Sequence, residues 1–441
     1  MRISDYVDGF EKLITDTQAH IFANAETGYR EWGTAKYLED IFEDLGYTLT
    51  RAGDIPGFYT DVDTGKDGPT LLIMGELDSI LCSTHPNATK TGAAHSCGHS
   101  AQCGALVGIV AALSKKEALE GLCGKIRLCA VPAEELIEIE YRKELKKQGI
   151  IKYMGGKPEF LRRGYFDGVD IAFMVHTTTN DKFIIQNGSI GCLAKRITYK
   201  GVSAHAGGSP WDGVNALYAA NTGIAACNAV RETFRERDVI RFHPIITKGG
   251  GAVNAVPDEV IVESYVRGMT FDGILDANRK INRALIGGAL ALGANVEIED
   301  IPGYAPLSNS KDMMLLAKDA LDRLGGVEYV VRDVFSSGCT DMGDLSCIMP
   351  VVHPYAPGAV GKDHGNDYFI EDPHLACVMS AKWQLEMMYL LLENGGARAR
   401  KIKEDFKPLF PSKEAYFEYI DGFERTGNRI EYLESEAKIL L

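Results

Sequence analysis

Apolar residues recur at helical spacing through the first 46 residues. Tyr6, Phe10, Leu13 and Ile14 share one face, and Tyr37, Leu38, Ile41 and Leu45 share another, so the spacing predicts two helices. The pattern then changes to short continuous runs bounded by turn residues: 70–74 (TLLIM), 125–131 (KIRLCAV) and 170–175 (DIAFMV). Unbroken apolarity over such lengths suits strands covered on both faces, as in an α/β sheet. Between the first two runs, residues 100–113 are small and apolar throughout and read as a buried helix.

Residues from about 190 to 307 follow another rhythm. A strand is predicted over 192–200 and a helix over 213–234, with Leu217, Ala220, Ile224 and Cys227 on one face. Strands follow over 239–247 and 259–267. A helix over 272–292 aligns Ile274, Ile281, Leu285 and Leu292. Finally Val296 and Ile298 alternate with Glu297 and Glu299, the mark of a half-buried strand. The order βαββαβ is that of a ferredoxin-like split-βαβ sandwich. After Pro306 the α/β character resumes, with a helix over 312–324, a strand over 329–333 and a closing helix over 373–392.

The predicted architecture is therefore an α/β domain, a mixed sheet flanked by helices, carrying an inserted βαββαβ domain. The first is discontinuous, 1–190 and 308–395; the insert is 191–307; residues 396–441 form a charged helical tail.

Composition narrows the partners. Among 441 residues, 47 Lys and Arg face 61 Asp and Glu, a formal charge of −14. So acidic a surface argues against nucleic acid and anionic membranes. No apolar stretch approaches the roughly 20 residues of a membrane span. The start, MRISDYVDGFEKL, lacks a basic region followed by an apolar one, so a soluble, cytoplasmic protein is expected. The ten cysteines include no CxxC pair, and in that compartment they should be reduced.

The chemistry sits just past the predicted strands. Gly75-Glu76-Leu77-Asp78 follows TLLIM, and His95-Ser96-Cys97-Gly98-His99 precedes the buried helix. Pro132-Ala133-Glu134-Glu135 follows KIRLCAV, and His176 follows DIAFMV. Ligands of open α/β sheets bind outside the carboxyl ends of the strands. Any one of these residues alone reads as a solvated acid or a satisfied core side chain. Together they point to a metal centre. A thiolate and an imidazole around a glycine, as in Cys97-Gly98-His99, can chelate one borderline-soft cation or flank two. The helix that follows favours the thiolate through its positive end. Of the adjacent carboxylates Glu134 and Glu135, one can bind metal while the other takes a proton from water.

At this point the sequence resembles a known family, the aminoacylase and carboxypeptidase-G class of metallopeptidases, in its amidohydrolase branch. That branch holds indole-acetyl-amino-acid, hippurate and p-aminobenzoyl-glutamate hydrolases. The matching segments are GELDSI (75–80), HSCGH (95–99), PAEE (132–135), AFMVH (172–176), GVSAHAGGSPWDGVNA (201–216), GAVNAVPDEV (251–260), TDMGDLS (340–346) and KDHGNDYFIED (362–372). The resemblance implies two divalent metal ions held by Cys97, His99, Glu135, His176 and His364, with Glu134 as general base. It also implies that the insert is a lid and homodimerisation domain whose His205 stabilises the oxyanion, in cis or across the dimer.

Further expectations concern single residues. Asp78 is suited to orient a ligand histidine. Arg267, at the end of a lid strand, can pair with a substrate carboxylate, or be a plain surface arginine. Asn254 can hydrogen-bond the substrate or simply fit its glycine-rich turn. The branch usually has Asp or Asn, then His, where this chain has Ser100 and Gln102. Ser100 is expected to cap its helix in place of the acid. Loss of the histidine at Gln102 bears on the groups around the metal ligands.

The expected activity is metal-dependent hydrolysis of the amide bond of an N-acyl or N-aroyl amino acid, or of a dipeptide. Zinc, manganese, nickel and cobalt all suit such a mixed site. The alternative is a catalytically degenerate binding or assembly protein, which the Ser100 and Gln102 departures motivate. A thiol enzyme using Cys97 with His99 is a poorer reading, since it leaves Glu135, His176 and His364 without a role.

Overall fold

Burial follows the apolar runs. The strand Thr70–Glu76 is buried from its second residue on, and Lys125–Val131 is almost as deeply covered. In the computed structural model, which describes residues 2–434 and 436–441, these two strands pair in parallel at the centre of a six-stranded mixed sheet. Ile171–Phe173 and Val351–Val352 extend the sheet in parallel on one side. Phe58–Asp63 and Thr50–Arg51 extend it antiparallel on the other. All three sequence-predicted apolar runs thus lie in one sheet, and their carboxyl ends fall on one edge.

The helix His99–Leu113 is buried at every residue. It packs Leu106, Ile109 and Val110 into the same core as Leu71, Ile73 and Leu128. Its start depends on Gly98, whose φ of 93° is left-handed. A Cβ there would come within 1.9 Å of Thr177 Oγ1 and 2.6 Å of the Tyr368 hydroxyl. Ser100 does not cap the helix as expected. Gly98 occupies the cap position without a side-chain bond, and the Ser100 hydroxyl instead accepts from Gln18 Nε2 at 3.4 Å.

The chain divides into two compact units: Met1–Gly188, Leu307–Phe335 and Thr340–Lys413 form one, and Ser189–Pro306, Ser336–Cys339 and Glu414–Leu441 the other. The second unit has the order βαββαβ. Its strands Gly191–Lys200, Glu259–Gly268 and Asn295–Pro302 lie antiparallel, with Gly191–Lys200 in the middle. The helices Ala216–Ala229 and Phe271–Ala291 pack on the sheet through Ala220, Ile281 and Leu285, against Ile197 and Val262. The strand expected over 239–247 is two pieces, Arg241–Phe242 and Ile245–Lys248. Pro244 lies between them, and proline cannot donate to the ladder.

The tail is not the wholly helical appendage expected. Ala397–Asp405 is a helix of the first unit. Beyond the helix Lys413–Asp421, the chain forms a two-stranded antiparallel pair, Ile430–Tyr432 with Ala437–Ile439. Bridges Glu297↔Asn428 and Asp300↔Arg425 attach this segment to the strand Asn295–Pro302, and Ile430 enters the core of that unit. An open strand edge exposes unpaired N–H and C=O groups, which this segment satisfies.

Candidate metal centre

Five donor side chains converge in the first unit. The ligand atoms of Cys97, His99 and His176 all lie within 4.8 Å of one another, and so do those of Cys97, Glu135 and His364. Cys97 belongs to both groups. Its Sγ is 3.6 Å from His176 Nε2. His364 Nε2 is 3.2 Å from Glu135 Oε1.

Local hydrogen bonds set the histidine and Glu135 donors. Asp78, two residues beyond the strand Thr70–Glu76, accepts from His99 Nδ1 through its main-chain oxygen at 2.9 Å, with its carboxylate Oδ1 at 3.3 Å. That bond suits a proton on Nδ1, the arrangement in which Nε2 is the nitrogen offered to a metal ion. The second oxygen of Asp78 accepts the Glu135 N–H at 2.8 Å. His176 Nδ1 bonds Thr177 O at 2.8 Å, which turns Nε2 toward Cys97. His364 has a left-handed φ of 62°, and its N–H donates to Ser96 O at 2.7 Å. That bond ties its loop to the residue before Cys97.

The electrostatics match donors awaiting a cation. Burial and the Glu135 carboxylate oppose ionisation of the Cys97 thiol, yet the His99 and His176 imidazoles bring it down to about 6. The Glu135 carboxylate pushes His364 up to about 12. Burial, joined by the negative charges of Glu76 and Glu135, holds Glu134 well above the usual carboxylate range. His99 Nε2 is buried and has no hydrogen-bond partner among the described residues. It faces two carboxylate oxygens, Glu76 Oε2 at 3.2 Å and Glu134 Oε2 at 3.8 Å. Burial opposes a charge on His99, yet Glu76 and Cys97 raise it well above the ordinary histidine range, so this nitrogen sits where positive charge, a proton or a metal ion, is favoured. Thiolate, imidazole and carboxylate donors suit a borderline-soft divalent ion, so the residues fit a bound metal.

Some residues of this wall carry no functional signal in the sequence. Glu76 stands out there only as an acid near Asp78, yet it lies against His99. Lys157 gives no signal at all, and it is fully buried beside Glu76 and Asp341. Asp341 lies in the TDMGDLS segment, whose role the spacing does not reveal. Gln102, the departure from the branch pattern, donates to Glu76 Oε2 at 2.8 Å.

His205, Asn254 and Arg267 belong to the second unit. His205 is exposed and accepts the N–H groups of Gly207 at 3.2 Å and Gly208 at 2.8 Å on Nδ1. It bridges to Ala255, so exposed Asn254 lies on the neighbouring segment. Arg267 is half-buried opposite Cys192 and Arg241, its guanidinium carbon 5.2 Å from the Tyr265 ring centre.

Comparison with known proteins agrees with this fold. The profile of peptidase family M20/M25/M40 matches residues 60–381. The chain belongs to that family. It is 28% identical over 269 residues to the Xaa-Arg dipeptidase of Mus musculus, covering 59% of this chain and 57% of the relative. It is 26% identical over 309 residues to a p-aminobenzoyl-glutamate hydrolase polypeptide of Escherichia coli, covering 67% and 59%. In both cases the match spans less than two thirds of the relative's own length. Among solved structures, the Bacillus subtilis YXEP protein, described as a dinuclear metal binding peptidase, superposes with a TM-score of 0.64 at 18% identity, covering 87% of this chain and 99% of that one.

Proposed function

We propose that this protein is a metal-dependent amidohydrolase that cleaves a linear amide bond between an acyl or aroyl group and an amino acid, or the bond of a dipeptide. The observation that carries the reading is the position of Cys97, shared by two three-donor groups, with Glu134 beside them. Cys97, His99 and His176 would hold one divalent ion, and Cys97, Glu135 and His364 a second. The bound ions would supply Lewis acidity, polarising the carbonyl and acidifying water. The dinuclear description of the structural neighbour supports that stoichiometry.

The remaining roles fall to the chain's own side chains. Glu134 takes the proton of the attacking water at its carboxylate and passes it to the leaving amine nitrogen. Asp78 touches no reacting atom in this scheme. It orients His99 and the Glu135 backbone, and so is a positioning residue. His205 accepts two amides on Nδ1, which leaves its proton on Nε2 to donate to an oxyanion. Arg267 is suited to a substrate carboxylate and Asn254 to a polar group of the substrate. The relatives divide the candidates into dipeptides and aroyl-amino acids.

The second unit also supports a homodimer. Its strand Ile245–Lys248 is exposed at every residue, and large apolar side chains at Trp211, Tyr218 and Val253 face solvent. An exposed apolar strand invites a partner strand. No helix among the described residues is long and apolar enough to cross a membrane, and the ten cysteines are free thiols, in keeping with a cytoplasmic enzyme. A hydrolysis screen tests the central proposal. The purified chain, with zinc, manganese, nickel or cobalt added back, is offered N-acyl amino acids, aroyl-glutamates and dipeptides. Release of the amine product in a metal-dependent way is expected; none with any metal would overturn the reading.

A further inference from the structure

The proposed mechanism leaves a buried charge cluster unused. Lys157, the second residue of the helix Gly156–Arg162, is fully buried. Its Nζ contacts Glu76 Oε1 and Asp341 Oδ1. Its backbone N–H donates to Asp341 Oδ2 at 2.8 Å. One lysine therefore stands between two carboxylates, both also fully buried.

Glu76 joins the cluster to the metal centre. Glu76 Oε2 accepts from Gln102 Nε2 at 2.8 Å and lies 3.2 Å from His99 Nε2. The Glu76 N–H returns a bond to Gln102 Oε1 at 3.1 Å. Gln102 sits three residues after His99, on the same helix face. The carboxylate of Glu76 is thus gripped by Lys157 at one oxygen and by Gln102 at the other, with its negative charge against Nε2 of His99. Among the described residues the Asp341 carboxylate bonds Lys157 instead, at both its ammonium and its backbone N–H.

The seat of Lys157 is itself fixed. Gly156 N–H donates to Ala133 O at 3.1 Å, and a Cβ at Gly156 would fall 1.6 Å from Pro132 O. Only glycine lets the helix start press on the backbone that leads into Glu134. Lys157 is therefore wedged between the loop carrying Glu134 and the strand end carrying Glu76.

We propose that Glu76, clamped by Lys157 and Gln102, is a positioning residue that holds the Nε2 side of His99 for a cation. The inference rests on the metallohydrolase reading. It assigns Gln102 a task in this chain: where the branch usually has histidine, the amide fixes a carboxylate.

Two isosteric neutralisations separate this role from a structural one. Glu76→Gln and Asp341→Asn each leave Lys157 with a single carboxylate partner, so the charge of the cluster changes equally. Only the first removes charge beside His99. The probe is Co²⁺, titrated into the full-length chain and followed by its thiolate absorption, with thermal unfolding measured on the same samples. Glu76→Gln should bind Co²⁺ about 10–100-fold more weakly, the usual effect of altering a residue that supports a ligand. Asp341→Asn should bind as the wild type does. Equal affinity in Glu76→Gln and the wild type would overturn the proposal, as would equal losses in the two variants. If Glu76→Gln does not fold, Gln102→Met carries the same readout, since it frees one Glu76 oxygen without changing any charge; unchanged Co²⁺ affinity there overturns the proposal. A wild-type chain that takes up no Co²⁺ overturns the hydrolase reading, and this inference with it.

Discussion

The carboxylate of Asp78 accepts the backbone N–H of Glu135 at 2.8 Å. The same residue holds His99 Nδ1 through its main-chain oxygen. One residue therefore sets the position of a donor in each of the two groups that share Cys97. Replacing it by alanine leaves the His99 bond to the main chain and removes the Glu135 bond. Asp78→Ala should lower metal affinity about 10–100-fold while every proposed ligand remains present. Competition against a chromophoric chelator measures it, and unaltered affinity would remove Asp78 from the centre.

Gly98 separates the thiol from the imidazole in a left-handed conformation with no space for a side chain. Gly98→Ala adds backbone strain of about 1–3 kcal/mol and drives a methyl into Thr177. Thr177 follows His176, so the displacement reaches a third donor. The expected outcome is a lower melting temperature together with loss of metal. Calorimetry and elemental analysis on one preparation test both. A variant that melts lower yet keeps its metal would show that the donors tolerate the shift.

How far the sequence foretells this arrangement depends on the range of each interaction. The apolar runs are legible because full burial on both sheet faces demands unbroken apolarity. Cys97, His99, the Glu134–Glu135 pair and His176 stand out because strand ends and a helix start are local features, whereas the choice of Glu135 as ligand and the addition of His364 come from the family resemblance. Lys157 does not stand out, since nothing near it in sequence foretells that Glu76 and Asp341, 81 and 184 positions away, close around it. The pairing of the tail with the strand Asn295–Pro302 is hidden for a similar reason. Its strands are three residues long, too short for an alternating pattern to show, although Ile430 enters the core and Ala437 and Ile439 pack against it. The break at Pro244 is readable from the proline itself, but the apolar residues on both sides imitate one continuous strand.

The second unit contains its own buried ion pair, and its acid sensitivity has a definite sign. Lys195 Nζ contacts Asp300, and Asn278 and Asn282 bond both partners. Burial lowers Lys195 in spite of the carboxylate. Burial also opposes ionisation of Asp300, but Lys195 and the two asparagines hold it below the ordinary carboxylate value. A carboxylate whose folded pKa lies below its unfolded one stabilises the fold above about pH 4. That contribution fades as pH falls through the lowered value. Asp300→Asn should therefore cost about 3–5 kcal/mol at neutral pH, because a buried ammonium loses its counter-charge. The gap from the wild type should narrow as the solution is acidified below about pH 4. Urea unfolding across that range is the measurement; a gap that widens in acid would reverse the sign of the argument.

The homodimer proposal places a partner along the exposed strand Ile245–Lys248. Ile245 is 62% exposed, so a lysine there is harmless to the monomer. Lysine on an open strand edge discourages pairing. Ile245→Lys should sediment as a monomer at concentrations where the wild type sediments as a dimer, with the unfolding midpoint of each unit preserved. A dimer of undiminished affinity would move the interface elsewhere.

Glu134 and Glu135 are neighbours in sequence with opposite electrostatic surroundings. His364 lies against Glu135, and its positive charge overcomes the effect of burial to bring that carboxyl down to about 2. Glu134 is raised by burial and by the charges of Glu76 and Glu135. An ionised carboxylate within reach of Cys97 and His364 suits a ligand, and a carboxyl of raised pKa suits proton exchange. The two alanine variants should then part company. Glu134→Ala should retain metal and lose about 10²–10⁴-fold in turnover, or more, because the same group also protonates the leaving amine. Glu135→Ala should lose metal first, with turnover falling as a consequence and returning in part when metal is supplied in excess. Metal content and kcat on both variants decide the assignment. Metal lost from Glu134→Ala and kept by Glu135→Ala would exchange the two roles. Full turnover in both, on the best substrate of the screen, would mean that neither carboxylate takes part and that the water is activated elsewhere.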